Sequence, residues 1–276
     1  MRPLACAALL LIAGSAARAA EGEFTVDSTT CLVRPRQVIQ LGSPVFSVLG
    51  EVFVDRASVV RKGDVVARLN SSVEEAQLAL DRFRAANTAP IEAARTELQW
   101  NQRELARRQQ LAGNMFSKAN EIDEIQTKAD QARIAIRRAE SDQRTASLEA
   151  ERSERQLQLR MIRSPVDGVV TEMKLMPGEF VYETTPIMTI AQIDPLSVDL
   201  VVAAEHYRAL GPGLTAEVQL LAPMNASRAA QVDAIDPVID AASDTFRVRL
   251  TMPNPGNQIP AGIRCSVRFT EPAQGG

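Results

Sequence analysis

The chain is poor in the residues that do chemistry. It has one histidine and three cysteines in 276 residues. That leaves no His-rich metal spacing, and no Gly-x-Ser-x-Gly nucleophile motif is present. Aromatic residues make up only 4% of the sequence, which argues against a large aromatic-lined pocket for a small ligand. Charge of one sign is lacking too. The 31 basic and 34 acidic residues nearly cancel, so nothing points to nucleic acid as a partner. What remains is an ordinary globular balance, 45% apolar and 24% charged, in a length that suggests about two domains. Composition leans toward an interaction protein, with no enzyme activity, no metal and no cofactor expected.

Met1-Arg2-Pro3, an apolar run from Leu4 to Ala13 and Ala17-Arg18-Ala19 read as a secretory signal peptide over residues 1–19. Cys6 lies before the apolar run and does not resemble a lipoprotein cysteine. No later window holds 18 apolar residues, so the mature protein is expected in the periplasm without a membrane span or lipid. Cys31 and Cys265 remain. In an oxidising compartment they are a disulfide candidate, worth roughly 4–5 kcal/mol on the chain-entropy estimate. Two unrelated buried thiols are the alternative.

An internal repeat is the most informative feature. At a fixed offset of 121, identities fall at Ser43/Ser164, Pro44/Pro165, Val45/Val166, Val48/Val169, Glu51/Glu172 and Val60/Val181. Apolar residues match at Leu41/Ile162, Leu49/Val170, Val54/Leu175, Val59/Phe180, Val66/Ile187 and Leu69/Ile190. Each copy reads as short strands between Gly, Pro and Asp turns. Neither copy alone buries a core, and two related by a pseudo-two-fold can close into one small sandwich.

Between the copies, residues 70–161 change period from 2 to about 3.5. One seam runs Ile122, Ala129, Ile136, Gln143, Ala150 and Leu157, with Ile125, Ala132, Ala139, Ala146 and Ser153 as its companion. In the first arm Ile91, Leu98, Leu105 and Ala112 alternate with Val73, Leu80, Asn87, Ala94 and Asn101. Other positions are largely charged, as a solvated coiled-coil face requires. Two matched arms of roughly 60–65 Å follow, antiparallel, over residues 72–112 and 118–160. Pro90 either kinks the first arm or restarts it with Thr88 as cap. Gly113-Asn114-Met115-Phe116 forms the turn, and Ser117 caps the second arm. Beyond the second copy, strands are expected over 196–202, 216–221, 231–235, 245–252 and 263–269, as in a small antiparallel barrel.

This order of segments resembles the periplasmic adaptor, or membrane fusion protein, family of tripartite efflux pumps, of the resistance–nodulation–division type. The residues that carry the likeness are Arg163-Ser164-Pro165-Val166-Asp167-Gly168-Val169-Val170 and Pro177-Gly178-Glu179-Phe180-Val181. They continue with Ala204-Glu205, Leu210-Gly211, Ile239-Asp240, Thr245-Phe246-Arg247-Val248-Arg249 and Pro260-Ala261-Gly262-Ile263-Arg264. The segments around Cys31 and Cys265 also resemble a subgroup carrying this pair. Ala57 stands where the family usually has Gly, while its repeat mate Gly178 conforms.

The resemblance implies an elongated, multidomain α+β protein. Residues 41–69 and 162–193 would be the halves of a lipoyl-like β-sandwich, with the α-helical hairpin of 70–161 inserted. Residues 20–40 would form an N-terminal strand on a β-barrel of 194–270, and 271–276 a tail. It implies assembly, typically as a hexamer, between an inner-membrane transporter and a TolC-like outer-membrane channel, for export of small molecules. The hairpin tip would meet the channel through Arg107, Leu111 and Ser117, with Gly113, Asn114, Met115 and Phe116 between. The Leu–Ser gap is one residue shorter than the family pattern.

An ABC-type exporter or type I secretion adaptor is the runner-up, and a secreted coiled-coil stalk is the alternative of another class. An acyl-carrier role is disfavoured, because Leu69-Asn70-Ser71-Ser72 displays no Lys. His206 reads as a polar residue on a barrel helix or loop. Met173, Met176, Met188 and Met224 read as apolar residues rather than soft-metal ligands.

Overall fold

The computed structural model describes residues 23–26, 31–111 and 119–270. The chain divides into two compact units, residues 39–190 and residues 1–38 with 191–276. The division therefore falls inside two long strands, β2 (Cys31–Leu41) and β9 (Met188–Ala203). It comes a few residues before the boundaries expected at 40 and 193.

In the first of these units the two repeat copies close on each other. The first supplies β3 (Ser47–Val52), β4 (Val59–Val60) and β5 (Val65–Leu69). The second supplies β6 (Met161–Arg163), β7 (Gly168–Met173) and β8 (Phe180–Val181). One sheet runs in the order β6-β5-β3-β8, and β4 pairs with β7. Several pairings between the copies have their mirror. Val48 faces Phe180 as Val169 faces Val59. The Ala57 N–H donates to the Val170 carbonyl (2.8 Å), and the Gly178 N–H to that of Leu49 (2.7 Å). Leu49 N–H to Glu179 O and Val170 N–H to Ser58 O complete the set. Ser43 and Ser164 each donate to the carbonyl two residues on, at 2.6 Å.

The core follows the same offset. Leu49/Val170, Val60/Val181, Val66/Ile187 and Leu69/Ile190 are all buried, and Val59/Phe180 are exposed together. Ala57 and Gly178 both have positive φ, 69° and 95°. They occupy equivalent turns, closed by Ser58 N–H to Asp55 O and Glu179 N–H to Met176 O. Such a turn suits Gly, and Ala there costs about 1 kcal/mol.

The inserted segment forms α1 (Ser72–Ala86), α2 (Ala89–Leu111) and α3 (Ala119–Gln158). The first arm is thus two helices. Asn87 leaves helical geometry (φ −75°, ψ 102°), and the helix restarts before Pro90, which lacks an N–H to donate. The Thr88 carbonyl accepts from the Ile91 and Glu92 N–H groups, and the Asn87 side chain accepts from Ala89 N–H. Thr88 caps through its backbone, because its hydroxyl is bonded to the Glu92 carboxylate instead (2.8 Å).

Every expected seam position of α3 is buried or half-buried. In α2 the same holds for Ile91, Ala94, Leu98, Asn101 and Leu105. In α1 the expectation fails: Val73 and Leu80 are exposed, at 75% and 44%. The side facing α3 carries Ser71, Glu74, Leu78, Asp81 and Ala85 instead. The break at residues 87–88 resets the helical phase, so a heptad counted back from α2 lands on the wrong side.

The other unit is an antiparallel sheet in the order β1-β13-β10-β11-β12-β9, with β2 also on β9. Here β1 is Glu23–Val26, β10 Thr215–Leu220, β11 Ala226–Ile235, β12 Thr245–Met252 and β13 Cys265–Thr270. Two N-terminal strands, not one, join it: β1 pairs with β13 and β2 with β9. Its core includes Leu196, Leu200, Val218, Phe246, Leu250 and Val267, all at most 2% exposed. Asn254, 1% exposed, pins a loop. Its amide donates to the Ile193 and Ile259 carbonyls and accepts from Ile259 N–H, each at 2.9 Å.

Candidate functional site

The hairpin holds most of the candidate residues. Arg107 lies in the last turns of α2 and its side chain is 67% exposed. Glu104, on the same helix, gathers two cations. Its Oε2 is 3.2 Å from Arg107 Nη1, and its Oε1 accepts from Arg108 Nε at 2.8 Å. Arg108 also reaches Glu121 on α3 (3.0 Å), tying the arms together near their far end. The Arg108 hydrogen bond, with the Arg107 charge nearby, holds the Glu104 carboxyl below the usual carboxylate value. Arg107 is thereby oriented while its guanidinium still meets solvent. Leu111 closes α2. Gly113, Asn114, Met115, Phe116 and Ser117 lie outside the described residues, as do residues 1–19.

Nearer the sandwich, the α1–α3 contact is polar at its centre. The Asp81 side chain, 5% exposed, accepts from Ser153 Oγ (2.6 Å) and twice from Gln77 (3.0 Å). Those hydrogen bonds, with Arg84 3.7 Å away, lower the Asp81 pKa against the opposing effect of burial. Sequence reasoning missed this pair, because Asp81 stands beside the wrongly assigned Leu80. At the hairpin base Arg160 pairs with Glu74 and donates to the Phe46 carbonyl. Phe46 stacks on Phe180 (5.7 Å between centroids) and meets Tyr182 (5.3 Å); all three rings are more than half exposed.

In the barrel unit, the Sγ atoms of Cys31 and Cys265 are bonded, with a Cα–Cα distance of 5.1 Å. The bond joins the start of β2 to the start of β13. His206 sits in a short 3-10 helix, Ala204–His206, with Nε2 3.5 Å from Glu205. Among the described residues, no group of three His, Cys, Asp or Glu is placed to hold a metal ion. Nor is any helix there long and apolar enough to cross a membrane. The geometry is one of exposed contact surfaces.

Comparison with known proteins agrees with that reading. Residues 37–192 match the CzcB-like barrel-sandwich hybrid domain, and residues 198–273 the CusB-like β-barrel domain. An uncharacterised protein of Haemophilus influenzae is 26% identical over 90% of this chain and 58% of its own length. The pyoverdine export membrane fusion protein PvdR of Pseudomonas putida is 27% identical over 69% of this chain and 50% of its own. The chain thus spans about half the length of these curated relatives. Among solved structures, MacA of Actinobacillus actinomycetemcomitans superposes with a TM-score of 0.72 at 19% identity, covering 91% of this chain and 78% of that one. The sandwich with its inserted hairpin, followed by the barrel, makes this chain a member of the membrane fusion protein family, the periplasmic adaptors of efflux systems.

Proposed function

We propose that the chain is the adaptor of a tripartite efflux pump, joining an inner-membrane transporter to a TolC-like outer-membrane channel for the export of small molecules. The observation that carries this is the hairpin inserted between two sandwich halves that close by reciprocal hydrogen bonds, which gives a long contact arm a stiff base. The match of the barrel region to a CusB-like model supports a transporter of the resistance–nodulation–division type. The adaptor contributes contact, not catalysis, and residues 1–19 direct its export and are removed.

Self-association, as a hexamer, draws support from the outer side of α1. There Val73, Ala76, Leu80 and Phe83 recur at heptad spacing, and the three large ones are 44–75% exposed. An apolar row facing water at coiled-coil spacing suits packing against another helix. The Phe46, Phe180 and Tyr182 rings offer a second such surface. Contacts of this size are individually weak, so several copies and two partners would supply the stability together.

At the tip, Arg107 and Leu111 are the residues proposed to meet the channel, together with Gly113 to Ser117. Replacing Arg107 and Leu111 together with Asp tests this. Efflux in cells should be lost while the purified protein keeps its melting temperature. Unchanged efflux would refute the tip assignment.

A further inference from the structure

The exposed face of the barrel unit carries more arginine than its neighbours neutralise. Arg34 on β2 and Arg249 on β12 share one carboxylate, Asp199 of β9, at 3.5 and 3.3 Å. Arg36 is held by Asp233 (2.7 Å) and Thr251 (3.0 Å). Arg247, opposite Val201 across β12 and β9, and Arg264, bridged to Leu32, are exposed. Neither makes a side-chain ion pair or hydrogen bond among the described residues. The Cys31–Cys265 bond lies beside Leu32 and Arg264 and fixes them together. Arg34, Arg247, Arg249 and Arg264 line a hollow of about 910 Å³, whose apolar lining includes Leu32, Val201 and Pro237.

Three features decide what fits there. The hollow carries four Arg against Asp199 and Asp236, a local excess of positive charge on a chain whose net charge is −3. No lysine lines it, and the planar guanidinium is the cation suited to paired bonding of carboxylates. Apolar residues share this concavity with the arginines. A flat membrane surface cannot enter that concavity. A protruding protein segment can, with apolar contact and charge pairing together.

Resting on the adaptor reading above, we propose that this hollow receives an acidic segment of the inner-membrane transporter. Its carboxylates pair with Arg247 and Arg264, and its apolar side chains rest on Leu32 and Val201. The barrel would then do more than pack: it would recognise its partner by charge.

The test uses the full chain in intact cells, with a photo-activated cross-linker at Val201 and a second at Arg107 as reference. The position-201 adduct should be a transporter peptide rich in Asp or Glu, identified by mass spectrometry. Arg247→Glu with Arg264→Glu should reduce that adduct at least about tenfold. Reversing the acidic residues of the captured peptide to Arg should restore it. The milder Arg247→Ala with Arg264→Ala should weaken it without changing the melting temperature. Adducts with phospholipid, with a second copy of the chain, or insensitive to charge reversal would overturn the proposal. So would a missing adduct at 201 while position 107 still captures the channel. Loss of capture at both positions in the otherwise unaltered chain would instead count against the adaptor reading itself.

Discussion

In the sandwich, the repeat pairs Leu49/Val170, Val60/Val181, Val66/Ile187 and Leu69/Ile190 are at most 2% exposed. In the hairpin, Leu78 and Ile91 are buried, but so are Ala94, Ala129, Ala132, Asn101, Asp81 and Ser153, which are small or polar. The two regions share one compact unit and have different cores. A branched apolar core gives a single well-packed arrangement. A seam of alanine brings helices close but buries little apolar area per residue. Apolar residues that a helix would ordinarily turn inward, Val73, Leu80 and Phe83, are on its outside. The hairpin is arranged for contacts beyond itself, and the sandwich for holding it still.

This contrast can be broken by truncation. Leu49→Ala should cost about 3–5 kcal/mol, because a cavity opens in a closed core. The same change at half-buried Leu98 should cost about 1 kcal/mol, because the seam can relax. Urea denaturation of each variant measures the two. Equal costs would remove the distinction.

Overfilling tests it from the other side. Ala132→Leu forces the arms apart and should cost about 1–3 kcal/mol, read as an earlier loss of helical signal. If the helices accept it without loss, close approach along the alanine seam is not what holds them.

A gain should come from Ala57→Gly, which relieves the positive φ that its mate Gly178 adopts freely, stabilising the sandwich by about 1 kcal/mol. No gain in melting temperature would mean the turn tolerates Ala without strain.

The smallest effect is acid sensitivity confined to the hairpin. The Asp81 pKa is below its ordinary 3.8 in the folded chain, so its stabilisation is present above that value. It is lost as pH falls through the folded value. Helical melting should therefore drop at pH below about 4, and Asp81→Asn should flatten that limb. An identical acid limb in the variant would assign the effect elsewhere.

Where a pattern runs unbroken, the sequence displays it. The 40 residues of α3 keep one phase, so its seam can be read residue by residue. The repeat offset gives core pairs and exposed pairs alike, since both copies meet the same surroundings across the pseudo-two-fold. Phase was lost where a two-residue break intervenes, and α1 was placed on its wrong face. Strand β11 begins at Ala226, five residues before the expected 231, because Ala226-Ser227-Arg228-Ala229-Ala230 has little strand preference of its own. Pairing with β10 imposes it. Only three-dimensional packing shows that the Asn254 amide is buried. The barrel arginines lie on β2, on β12 and just before β13, and no local motif collects them all. Arg107 was legible as an exposed helix residue, but the Glu104 carboxylate that orients it was not.

The central claim is that the hairpin end reaches the outer-membrane channel. The most direct test is the photo-activated cross-linker at position 107 of the otherwise unaltered chain in intact cells, with its adducts identified by mass spectrometry. The account predicts an adduct with the channel protein, and none from the same group placed at Leu49 inside the sandwich. Adducts at 107 with the inner-membrane transporter alone, or none at all while the protein remains folded and exported, would contradict it.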